Sequence, residues 1–74
     1  RQFSLEGIRA AARTQIGSPH PADSPLAAYA LQAGLGMPIT GVFTLYDHII
    51  QGYQSGIVLA PVAVPTMASH IVWE

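Results

Sequence analysis

Three histidines, four carboxylates, three tyrosines and one tryptophan are the residues of this 74-residue chain whose types suit catalysis or recognition. His20, His48 and His70 are widely spaced, and neither a His-Glu-x-x-His metal motif nor a Gly-x-Ser-x-Gly nucleophile elbow is present. Asp47 precedes His48 directly, but neighbours on a helix diverge by about 100° and do not face one another. That pair therefore reads as a helix cap and a solvent-facing imidazole. Glu6, Asp23, Asp47 and Glu74 fall in four separate segments, so no acid–base carboxylate pair is indicated. The absence of cysteine removes thiol catalysis and thiolate zinc ligation. A zinc set built from His48, His70 and Asp23 has no support in the spacing. The expectation is a chain with no catalytic residues, no metal site and no cofactor.

Recognition is the chemistry left. Tyrosine and tryptophan faces stack on the C–H faces of sugar rings, and neighbouring amides orient the hydroxyls. Tyr46 and Trp73, with His48 and Gln51 as polar neighbours, are the candidate ligand-binding residues. Tyr53 reads as core. His20, between two prolines, reads as an exposed linker residue.

The bulk numbers narrow the partner. Three arginines and no lysine give a net charge of −1, which argues against nucleic acid and against an anionic membrane surface. Charged residues make up 9% of the chain against about 25% in ordinary soluble domains. That deficit suits a surface covered by a larger polypeptide or an assembly, and it also suits a plain Ala- and Pro-rich composition. Residues 57–65 are the longest apolar run, far short of the roughly 18 residues a membrane helix needs and broken by Pro61 and Pro65. No membrane span and no signal peptide are expected, and the start at Arg1 suggests a processed or excised piece.

The elements that must position these residues read as helices. Ser4 caps a helix over 4–16, with Phe3 and Ile8 at staple spacing and Leu5, Ile8, Ala12 and Ile16 on one stripe. Glu6 and Arg9 pair on another face. Gly7 inside it costs about 1 kcal/mol relative to alanine. Residues 17–25 form a Pro-rich linker. Ser24 and Pro25 open a second helix over 25–34, with Ala28, Leu31 and Leu35 as its buried stripe and Gly34 and Gly36 at its end. Thr44 and Asp47 suggest a capping box for a third helix over 45–55, where Tyr46, Ile49, Ile50 and Tyr53 recur at i, i+3, i+4 and i+7. Residues 57–64 are rich in Val and Ile, but Pro61 disfavours an interior strand, so a buried irregular connection is expected. A last short helix over 65–71 turns Met67 and Ile71 inward, and Trp73 either covers the core or makes an exposed contact.

The ordered motifs Leu31-Gln32-Ala33-Gly34-Leu35-Gly36, Gly41-Val42-Phe43, Ile49-Ile50-Gln51-Gly52-Tyr53-Gln54 and Val64-Pro65-Thr66-Met67 resemble those of the peptidoglycan-binding-like domain. That family is a small three-helix module attached to bacterial and phage cell-wall enzymes. The resemblance covers roughly residues 24–72. Thr40 stands where the family has Asp, Thr44 where it often has Gly, and Met67 where Trp is common. The segment between Phe43 and Ile49 is one residue short, and His70 replaces an apolar residue.

The resemblance implies an all-α fold: a compact three-helix bundle over 24–74, preceded by an additional N-terminal helix and Pro-rich linker over 1–23. Phe43 then drops between the helices behind Gly41. The implied role is a non-catalytic module of a larger bacterial or phage protein, binding peptidoglycan glycan or stem peptide through Tyr46, His48, Gln51 and Trp73. Its location would be extracellular or at the cell wall. The alternative is a structural or assembly protein of a phage or virus particle, located in the virion, which uses the same scaffold or an extended chain for packing.

Overall fold

The structure is a computed structural model and describes residues 4–18 and 24–74. Phe3 with its staple, and His20 and Asp23 in the Pro-rich linker, lie outside the described residues. Two helices come first, α1 over Leu5–Thr14 and α2 over Ala27–Ala33. Four strands follow: β1 Phe43–Leu45, β2 His48–Tyr53, β3 Gly56–Pro61 and β4 Ser69–Ile71. They form one antiparallel sheet in the order β1-β2-β3-β4. The fold is therefore α/β in content, and the all-α bundle is corrected.

Each strand of this meander pairs with its neighbour in sequence. Ile50 lies opposite Phe43 on one side and Leu59 on the other, and Ile57 lies opposite Ile71. Alternate residues of a strand point to opposite faces, and the two faces carry separate cores. Ile50, Ile57 and Leu59 pack with Ile8 and Ala12 of α1, flanked by Phe43, Leu45, Tyr46, Ile71 and Trp73. Tyr53, Val58 and Ala60 pack with Leu26, Ala30 and Leu35 from α2 and its flanks. The sheet is thus enclosed between one helix and the other. Fully burying an Ile, Leu or Val side chain contributes about 1.5–3 kcal/mol, and Ile8, Leu26, Ile50, Ile57 and Val58 are all fully buried.

The helices follow local signals. Ser4 Oγ accepts from the Gly7 amide at 3.1 Å, capping α1 as its sequence suggests. Arg9 and Glu6 pair at 2.8 Å. Ser24 Oγ accepts from the Leu26 amide at 3.0 Å, just ahead of α2. Gly34 ends α2 in the left-handed conformation at φ 72°. The buried stripe of α2 differs from the expected one. Leu26 and Ala30 are buried, Ala28 is exposed, and Leu31 is 83% exposed.

The third expected helix is a hairpin. Residues 45–55 hold the end of β1, the Tyr46-Asp47 turn and all of β2. Tyr46 and Asp47 both have left-handed backbone, φ 53° and 60°, the conformation of a two-residue type I′ turn. The i, i+3, i+4, i+7 apolar pattern misleads because both faces of β2 are covered. A strand buried on both sides loses the alternation that distinguishes it from a helix.

For the same reason residues 57–64 are not an irregular connection. Residues 56–61 form β3, one of the two inner strands. Pro61 is tolerated because it lies at the strand's end, past Leu59 where pairing with β4 stops, so only β2 runs beside it. Residues 65–71 form a turn and the edge strand β4, and Met67 is 67% exposed rather than inward. Phe43 opens an edge strand and is half-buried against the α1-side core, so it is not a plug between helices. The left-handed glycines among the described residues are Gly17, Gly34 and Gly36, not Gly41.

Candidate functional site

Gln51, on β2, is fully buried. Its Nε2 donates to the Thr40 carbonyl at 3.1 Å, and its Oε1 accepts from the Tyr53 hydroxyl at 2.8 Å. Thr40 is also fully buried and completes the knot, its Oγ1 accepting from the Gly52 amide at 2.7 Å. These bonds fasten the segment before β1 to β2 where regular pairing breaks. Burial pushes the Tyr53 phenol above its usual pKa, and a hydrogen bond with the Ser24 side chain acts in the opposite direction. The Gln51 amide is thus committed to the interior.

Tyr46 and His48 meet at the β1–β2 turn. His48 Nδ1 lies 2.8 Å from the Tyr46 carbonyl oxygen, so Nδ1 carries the proton and donates. Both residues are half-buried. The Tyr46 hydroxyl lies against α1 at Gly7, where a Cβ would sit 2.5 Å from it. Gly7, a liability inside the helix, is thus the position that admits the phenol.

Trp73 lies at the opposite end of β2. Its indole N–H donates to the Tyr53 carbonyl at 2.7 Å, and its ring covers Gly52 so closely that a Cβ there would sit 2.8 Å from it. Of the two roles open to Trp73, the structure shows the core cover. Five residue steps along β2, roughly 17 Å at strand rise, separate His48 from Tyr53 and its indole partner. The four candidate ligand residues therefore do not converge: Tyr46 and His48 share one turn, Gln51 is interior, and Trp73 seals the other end.

A different site is formed on the α2 face. Pro25, Ala28, Tyr29 and Gln32 from α2 and its start face Pro65, Thr66 and Ala68 from the β3–β4 loop across a shallow groove of about 250 Å³. The Tyr29 hydroxyl bonds His70 Nδ1 on β4 at 2.8 Å, and the two rings lie 5.7 Å apart at 54°. This cross-link holds α2 to the sheet edge and fixes the Tyr29 ring as one wall. Ala28 and Gln32 are one helical turn apart on the exposed side of α2, which explains why Ala28 belongs to the groove lining rather than to the buried stripe. None of the seven lining residues is charged. Helix amphipathicity does not reveal the groove, because its second wall comes from a loop 33 or more residues away in the chain. The proline pair Pro25 and Pro65 is the local signal available.

Among the described residues, no three His, Asp or Glu side chains stand close enough to hold a metal ion. No helix among them is long and apolar enough to cross a membrane. No protein family, curated protein or solved structure matched the chain in sequence or fold comparison.

Proposed function

We propose that this chain is a non-catalytic binding module of a larger protein, and that it engages its partner through the groove between α2 and the β3–β4 loop. The observation that carries this reading is the groove itself: an aromatic ring fixed by a hydrogen bond, in a lining that also holds two prolines, an amide and a hydroxyl and no charge. Ligand-enclosing pockets run to about 300–1,000 Å³. A shallow groove of about 250 Å³ instead suits a few groups of a larger partner. The cell-wall role drew its support from a three-helix scaffold, and that support went with the third helix. Peptidoglycan therefore enters as one ligand class for the groove, placing the protein at the cell wall, and not as an inherited function.

The test is a titration of isotope-labelled chain, followed by amide chemical shifts. Soluble peptidoglycan fragments and a panel of uncharged peptides are added in turn. Shifts clustered on residues 25–32 and 65–70 for at least one ligand class are expected, and Ala28→Arg removes them. Shifts confined to the Tyr46–His48 turn, or absent for every ligand, overturn the reading.

A second reading rests on exposed apolar side chains. Leu31 is 83%, Met37 68% and Met67 67% exposed, in a chain where only 9% of residues are charged. These suit packing within an assembly such as a virus particle. Light scattering across a concentration series tests it. Self-association or co-assembly supports packing, and a monodisperse monomer at all concentrations counts against it.

A further inference from the structure

We draw no further inference here: the strongest candidate, the outer edge of the sheet at β1, Phe43–Leu45, which carries no charge or proline to block strand addition, is only three residues long, and nothing in the structure shows what covers it.

Discussion

Gln51 shows how a residue type can point to the wrong chemistry. An amide beside aromatics suggests an exposed polar contact, yet here both ends of the amide are consumed in the interior by Thr40 and Tyr53. Tyr53→Phe isolates the energetics. Removing the hydroxyl leaves the buried Gln51 Oε1 without its donor, at a cost of about 1–3 kcal/mol at neutral pH. The pH dependence has a definite sign. Burial raises the Tyr53 pKa in the folded state, so the folded chain holds this proton at a pH where the unfolded chain has released it. The stabilisation is complete below about pH 10, the unfolded value, and is lost as pH rises through the raised folded value. Urea midpoints measured from pH 7 to pH 12 should therefore fall more steeply above pH 10 for the natural chain than for Tyr53→Phe. Parallel curves would mean that the phenol ionises as freely folded as unfolded.

At the scale of elements, the helices were legible and the sheet was not, for a physical reason. Ser4, Gly34 and the Glu6–Arg9 pair act within one turn of chain, so local chemistry reveals them. The strands β2 and β3 are apolar on both faces because α1 covers one and α2 the other. Which elements lie above and below a strand is tertiary information. The Tyr46-Asp47 turn was hidden further by its residues. Type I′ turns favour Asn-Gly and Asp-Gly because both central positions have positive φ, and Tyr-Asp satisfies neither position well. The groove depended on the same long-range information, whereas its two prolines and Tyr29 were visible as residue types only.

The misfit at the turn is measurable. Asp47 at φ 60° is strained relative to glycine by about 1 kcal/mol, and its carbonyl, not its side chain, accepts from Val62 N–H at 3.0 Å. Asp47→Gly keeps that bond and relieves the strain. Thermal denaturation should show a gain of roughly 0.5–1 kcal/mol. A loss would show that the Asp47 carboxylate holds the turn.

At the scale of the whole molecule, the end of the described chain closes the layer that its beginning opens. Arg9 Nε and an Arg13 guanidinium nitrogen donate to the Val72 and Trp73 carbonyls, each at 3.0 Å. The indole lies over Gly52 and bonds the Tyr53 carbonyl. The exposed arginine bonds are worth little individually. The indole contributes more, and Trp73→Ala should cost about 2 kcal/mol, below the range for a full core position because the ring is half-buried.

A double-mutant cycle shows whether that ring is what excludes a side chain at position 52. Gly52→Ala in the natural chain drives a Cβ into the indole and should cost about 1–3 kcal/mol. In the Trp73→Ala background most of that cost should vanish, while the contact with Thr40 Cγ2 at 3.0 Å stays. The expected coupling is about 1 kcal/mol or more. Because the indole, α1 and the sheet form one packed layer, Trp73 fluorescence and far-UV circular dichroism should report the same urea transition. Separate transitions, together with an uncoupled cycle, would show that α1 and the C-terminal segment are held by the arginine bonds alone.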